Sequence, residues 1–191
     1  MSAPAFSAMS VEEYLRTEES SPVKREYVAG FVYPLHIQAG ASRGHSMIAG
    51  NIFATLHPHA RKQNCRLHQN GMRLRIEKQN AFYYPDVMLV CQTDTVITLT
   101  ETAPCLLVEV LSPSTAQIDR LGKYAMYTAL PSLETYLIVH QDERRVVEYR
   151  RSNEGWQMRE VVQHGEVTTS CLSMALNLDD IYGGVLEASG A

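Results

Sequence analysis

The sequence predicts an α/β (α+β) fold, a mixed central β-sheet flanked by helices. Three observations predict it. Stretches whose apolar residues fall at helical spacing interleave with stretches that alternate or run continuously apolar. The order is helix, hairpin, helix, several strands, helix, then strands, which places helices on the faces of a sheet. Leu106 to Leu111 is a nearly continuous apolar run, as in a central strand covered on both faces. The 191 residues suit one domain, expected over residues 10–182, with residues 1–9 and 183–191 as flexible termini. A hydrophobic content of 45% lies in the globular range, so disorder is not the default.

Each element has a local reason. Ser10-Val11-Glu12-Glu13 reads as a capping box, opening a short helix to about Thr17. Lys24 to Leu35 alternates loosely, with Gly30 as a turn between two short strands. From Ser42 to Lys62, Met47, Ile48, Ile52, Phe53 and Leu56 fall at helical spacing, and Pro58 is expected to kink or shorten that helix. Arg66 to Gln69 is a short strand. Gly71 to Glu77 alternates, with one face solvated, and Phe82 to Val90 is aromatic and β-branched. Residues 92–103 read as a Thr-rich linker. A helix from Thr115 to Leu130 follows, capped by Ser114 and stopped by Pro131. Thr135 to Val139 and Arg145 to Tyr149 form a hairpin turning at Gln141 to Glu143. Trp156 to Val162 is a further strand, and Leu178 to Tyr182 a last short helix.

Charge and cysteine usage narrow the function classes. The formal net charge of −4 gives no electrostatic case for loose DNA affinity, although metal ions bound to clustered carboxylates would reverse the sign locally. Arg61-Lys62, Arg73-Leu74-Arg75 and Arg150-Arg151 are the local basic clusters, read first as solvated faces. Cys65, Cys91, Cys105 and Cys171 form no Cys-x-x-Cys pair. They read as buried thiols in a reducing compartment, neither a zinc site nor a disulfide frame. No signal peptide and no bilayer-spanning run are seen, so a cytoplasmic protein without a membrane partner is expected. No Gly-rich phosphate loop is present, and no organic cofactor is expected.

The informative residues are charges in strands. Glu109 lies within Leu106–Leu111, and an ionised carboxylate buried there without partners costs several kcal/mol or more. Asp86 follows Pro85, which cannot donate to a ladder and so marks a strand start, bulge or edge. Asp119, Lys123 and Tyr127 are spaced i, i+4, i+8 and share a helix face. Two carboxylates can hold a hard cation such as Mg²⁺ against a phosphate, and a lysine beside them can steady the charge that builds there. Each residue also has an ordinary reading. Asp86 can close a turn, Glu109 can pair with an arginine at a strand end, and Asp119 with Lys123 can be a surface helix pair. The joint occurrence and order are what favour a site.

Glu26-Tyr27-Val28-x-Gly30, a helix containing His45, Tyr84-Pro85-Asp86, Glu109-Val110-Leu111-Ser112-Pro113-Ser114-Thr115 and Asp119-x-x-x-Lys123-x-x-x-Tyr127 resemble the Uma-two family of endonucleases, from about Ser10 to Tyr182. The resemblance implies a restriction-endonuclease-like fold and a PD-(D/E)XK site whose lysine has moved to the following helix. On that mapping Leu111 fills the usual lysine position and Lys123 takes over its role. Asp86 and Glu109 would be the main metal ligands, Glu26 an extra metal contact, and Asp119, Tyr127 and His45 supporting residues. The resemblance implies Mg²⁺ or Mn²⁺ as cofactor and DNA as substrate; a homodimer is expected because two symmetric sites cut two strands most simply. Where the family often carries Ile-Asp-Gly-Glu after its first Glu, this chain has Val28-Ala29-Gly30-Phe31, and two acidic positions are lost.

Other constellations carry less. His57-Pro58-His59 with His68 matches no zinc spacing, and Ser112 and Ser114 lack a His/Asp set in sequence. The first function expected is a DNA phosphodiesterase with Asp86, Glu109 and Lys123 as catalytic residues. The second is a nuclease-fold module that binds or regulates without turnover. The third is an unrelated α/β protein whose acidic residues are structural.

Overall fold

The computed structural model describes residues 8–35, 42–92, 99–111 and 116–188; the side chains of residues 116–121 lie outside that set. Helix α1 spans Val11–Glu18, and Ser10 accepts a hydrogen bond from the Glu13 amide as the capping signal requires. Strands β1 (Arg25–Val28) and β2 (Phe31–Pro34) form the first hairpin. Gly30 turns it with φ +97°, where an added Cβ would lie 2.7 Å from Ala8 Cβ. Tyr14 of α1 packs on Tyr27 and Phe82 with ring centroids 5.1 and 5.2 Å away, so the helix is held to this hairpin by aromatic contact.

Helix α2 spans Arg43–Lys62 and runs through Pro58 without ending there. Pro58 lies one turn from the helix end, where few backbone bonds follow it. Ile48, Ala49, Ile52, Leu56 and Ala60 bury one face along the whole length, and that packing outweighs the local cost.

The segment expected as one strand over Phe82 to Val90 is two. Strand β3 is Arg66–Gln69 and β4 is Arg73–Ile76; β5 is Ala81–Tyr83 and β6 is Val87–Val90. Between β5 and β6 the chain passes from one sheet to another at Tyr84-Pro85-Asp86, where Pro85 has no N–H to continue a ladder. The bend is anchored from α1. The Tyr84 hydroxyl donates to Glu18 Oε1 at 2.9 Å, and Arg25 Nε donates to Glu18 Oε2 at 2.8 Å.

Strand β7 (Thr100–Glu101) falls inside the expected linker and pairs parallel with β4. The sequence does not reveal it, because two residues carry no periodicity. Then come β8 (Leu106–Leu111), α3 (Ala116–Thr128), β9 (Thr135–His140), β10 (Arg145–Ser152) and β11 (Gly155–Val162). The expected Ser114 cap lies outside the described residues. A short hairpin of β12 (Glu166–Thr169) and β13 (Met174–Asn177) precedes α4 (Leu178–Tyr182). It was not expected from its short, polar sequence.

Two mixed sheets result, in place of one. The five-stranded sheet has the order β2-β1-β5-β4-β7, and the six-stranded sheet has β11-β10-β9-β8-β6-β3. In the larger sheet β8 and β9 are parallel, as the α3 crossover demands, and its other pairs are antiparallel. Along β8 the side chains alternate between two cores. Leu106, Val108 and Val110 pack with α2 and α4, whereas Leu107 and Leu111 pack with Tyr127 of α3. Glu109 therefore faces α3.

Two sequence readings need correction. The cysteines are not separate thiols: Cys65 is bonded to Cys91 and Cys105 to Cys171. Cys65 and Cys91 stand one step beyond the β3–β6 pair Arg66–Val90, so they face each other across the ladder despite 26 residues of separation. Arg151 is not simply solvated. It donates to the carbonyls of Leu133, Leu130 and Thr128 and lies over the Trp156 ring, closing the end of α3. Among the described residues no helix is long and apolar enough to cross a membrane.

Leu137 of β9 is fully buried in the α2-side core. Leu137→Ala is expected to lower unfolding free energy by about 2–5 kcal/mol, read as a shifted urea midpoint at unchanged m-value.

Candidate active site

The site lies where the end of β6, the middle of β8, the face of α3 and the edge of β1 meet. The β6–β8 register pairs Val87 with Val108, so one step further Asp86 lies across from Glu109. Asp86 Oδ2 accepts the Val110 amide at 2.8 Å, which ties the bend to β8. Its Oδ1 lies 3.0 Å from His45 Nε2. His45 belongs to the first turn of α2, and its own amide donates to the capping Ser42 hydroxyl at 3.0 Å.

Glu109 Oε1 accepts the Tyr127 hydroxyl at 2.7 Å and lies 3.2 Å from Lys123 Nζ. Lys123 and Tyr127, one turn apart on α3, thus converge on a single oxygen. Lys123 Nζ also lies 3.1 Å from Glu26 Oε1 of β1, in the other sheet. The Tyr83 ring of β5 faces the same ammonium at 5.8 Å, with Tyr83 and Tyr127 packed edge to face. Glu26, Glu109 and Lys123 are all buried, and Asp86 and His45 are partly so.

The electrostatics follow from this crowding. Burial pushes the Glu109 carboxyl up to about 7, and the charges of Asp86 and Glu26 add to the rise; Lys123 and the Tyr127 hydrogen bond oppose it. The hydrogen bond to Asp86 raises His45 above its ordinary value against the effect of burial, with the charges of Asp86 and Glu109 adding to the rise. Burial and the Glu109 charge drive the Tyr127 phenol well above the ordinary tyrosine range, so it stays a hydrogen-bond donor. Glu26 and Glu109 share one ammonium in a partly dry site, and Asp86 stands beside them on His45. Their oxygens are hard donors, and such a set fits a divalent cation of the Mg²⁺ class.

Of the residues singled out in sequence, Glu26, His45, Asp86, Glu109, Lys123 and Tyr127 come together. The side chain of Asp119, and Ser112 and Ser114, lie outside the described residues. His68 is elsewhere, on Glu101 at 2.9 Å; Arg66 shares that carboxylate at 2.8 Å. Burial opposes ionisation of Glu101, but the Arg66 and His68 hydrogen bonds outweigh it and hold its pKa below the ordinary value. His57 stacks on Phe53. Sequence reasoning missed Tyr83, whose apolar setting hid it, and the Val110 amide, which no side-chain pattern reveals. A surface cavity of about 430 Å³ opens beside the α2 N-terminus, lined in part by Ser42, Arg43, Gly44, Gln141 and Asp142 and by none of Glu26, Asp86 and Glu109.

Comparison with known proteins finds a matching family and a similar fold. Residues 11–180 match the Uma2 family, described as "Putative restriction endonuclease". "Uncharacterized protein slr1290" of Synechocystis sp. is 32% identical over 186 residues, covering 96% of each chain. "Uncharacterized protein sll1609" of the same organism is 30% identical over 172 residues, covering 87% of this chain and 95% of that one. A crystal structure from Anabaena variabilis, described as "a putative nuclease belonging to DUF820", superposes with a TM-score of 0.75 at 16% identity, covering 93% of this chain and 99% of that one. That likeness bears on the fold, which is restriction-endonuclease-like.

Because the Glu109 pKa is raised on folding, its contribution to stability is present below about 4.5 and is lost as pH rises through about 7. Metal-free Glu109→Gln protein is therefore expected to gain stability relative to wild type between pH 5 and 8 by chemical denaturation; a constant difference would contradict the assignment. Tyr127→Phe removes a donor to a charged group and is expected to cost about 1–3 kcal/mol in the same measurement.

Proposed function

The chain belongs to the Uma2 family, and from that premise we propose that it is a metal-dependent endonuclease that hydrolyses DNA phosphodiester bonds. One observation carries the reading: Glu109 and Glu26, from different sheets, meet at the Lys123 ammonium, and Asp86 lies across the β6–β8 ladder from Glu109. A structural ion pair needs one carboxylate for one ammonium. Here Glu26 and Glu109 share one ammonium, and such a gathering of carboxylates is what a cation site offers.

Asp86 and Glu109 would hold Mg²⁺ or Mn²⁺, with Glu26 as a further contact. Bound there, such an ion polarises a phosphoryl oxygen and lowers the pKa of its water. The chain's own residues prepare the rest. The Val110 amide and His45 fix the plane of the Asp86 carboxylate, and Oδ1 keeps lone-pair capacity beyond its bond to His45. Tyr127 fixes Glu109 Oε1. Lys123 is a positive point held at the carboxylates, able to orient an attacking water or offset charge on the phosphate. Asp119 would support Lys123 from one turn before it on α3. The chain would act as a homodimer, presenting two sites to two strands.

Plasmid cleavage with Mg²⁺ or Mn²⁺ tests the reading. Lys123→Ala and Asp86→Ala are each expected to lose about a hundredfold or more in rate while remaining folded. Cleavage unchanged in both variants overturns the assignment of these residues. Metal binding in calorimetry with no cleavage of any nucleic acid favours a binding or regulatory module on the same fold, for which the net charge of −4 is an argument. The ligand form of Glu109 is the carboxylate, so Mn²⁺ affinity is expected to rise up to about tenfold per pH unit below pH 7 and to level off above it.

A further inference from the structure

The four cysteines of the chain, spread from Cys65 to Cys171 in sequence, gather at one place. Cys65 precedes β3, Cys91 follows β6, Cys105 precedes β8, and Cys171 lies in the turn joining β12 to β13. Besides the two bonded pairs, Cys91 Sγ and Cys105 Sγ lie 3.7 Å apart. The sulfurs of Cys91, Cys105 and Cys171 all lie within 4.8 Å of one another. Disulfides acting as separate staples have no need to touch. Here both bridges share one sulfur cluster, and it abuts the core between the larger sheet and α2.

We propose that these four cysteines, when reduced, form a tetrahedral thiolate site for Zn²⁺, distinct from the carboxylate site. Zinc–thiolate bonds of about 2.3 Å put tetrahedral sulfurs about 3.8 Å apart, the spacing that Cys91 and Cys105 already have. Cys171 Sγ lies within 4.8 Å of both, and Cys65 is brought to the same place by its bond to Cys91. The chemistry balances. A thiol or phosphine reductant supplies two electrons to each disulfide and is itself oxidised, and two protons complete two thiols. Four thiols then bind one Zn²⁺ and release four protons. Cys105 is buried and the other three are partly exposed, so the centre is sheltered yet has a route of entry.

Position separates this centre from the carboxylates. Asp86 and Cys91 bracket β6, and five residues of strand span about 17 Å. Cys105 precedes β8, and Glu109 lies four residues further along, about 13 Å away on the strand. The site would clip the β12–β13 hairpin to the larger sheet, a structural role that needs no open coordination position.

The test uses full-length protein reduced with a phosphine and desalted without oxygen. Co²⁺ is expected to give a near-ultraviolet thiolate-to-metal band saturating at one equivalent, which Zn²⁺ then bleaches. One equivalent of Zn²⁺ is expected to raise Tm and to shield the thiols from a disulfide reagent. Asp86→Ala should keep the cobalt band, since its carboxylate belongs to the other site, and Cys91→Ser should lose it. Reduced, folded wild type that shows no thiolate band, or whose thiols react equally fast with and without Zn²⁺, overturns the proposal without needing any variant. A band that disappears in Asp86→Ala and persists in Cys91→Ser overturns it as well.

Discussion

An ionised carboxylate inside a sheet has to be answered by something, and Glu109 is the residue around which this structure is arranged. It sits mid-strand in β8, buried, facing α3 rather than the α2 core. Lys123 and Tyr127 answer it from one helix face, and Glu26 reaches the same ammonium from the other sheet. Burial above all, with the charges of Asp86 across the ladder and of Glu26 adding to it, raises the Glu109 carboxyl to about 7. Such an arrangement is costly for stability alone. It is consistent with a site kept for binding a cation and a phosphate.

The break at Tyr84-Pro85-Asp86 makes the convergence possible. A continuous strand would have kept β5 and β6 in one sheet and fixed Asp86 within a regular ladder. The bend lets β5 join β1 and lets β6 join β8, so carboxylates from both sheets approach Lys123. Glu18 and Arg25 hold the bend from the side, through Tyr84. Arg151 closes the far end of α3, so the helix that carries Lys123 is fixed at its last turn. At the other end of the same strands the cysteines gather, and the larger sheet thus carries one oxygen-rich and one sulfur-rich cluster.

What could be read in advance depended on whether a signal was local. The helices at Val11–Glu18 and Arg43–Lys62 carry their caps and apolar spacing in their own residues. Asp86, Glu109 and Lys123 stood out because charge in an apolar setting is anomalous wherever it is folded. Glu101 did not stand out, because nothing in its own Thr-rich surroundings tells of Arg66 and His68, which meet it only through the β3 and β4 neighbours. The cysteines misled for the same reason: spacings of 26 and 66 residues contain no pairing information. The β12–β13 hairpin is too short and polar for periodicity to reveal it.

The amino-acid sequence by itself determined the helices and the longer strands, the alternation that turns Glu109 out of the α2 core, and which charged residues stand in apolar settings. These are consequences of neighbouring residues and of fixed helical and strand periods. Only the tertiary structure decided that the strands divide into separate sheets, that Glu26 and Glu109 share one lysine, and that the cysteines pair as they do. Those are contacts between segments far apart in the chain, and their geometry is set by how sheets and helices pack, which no local period encodes.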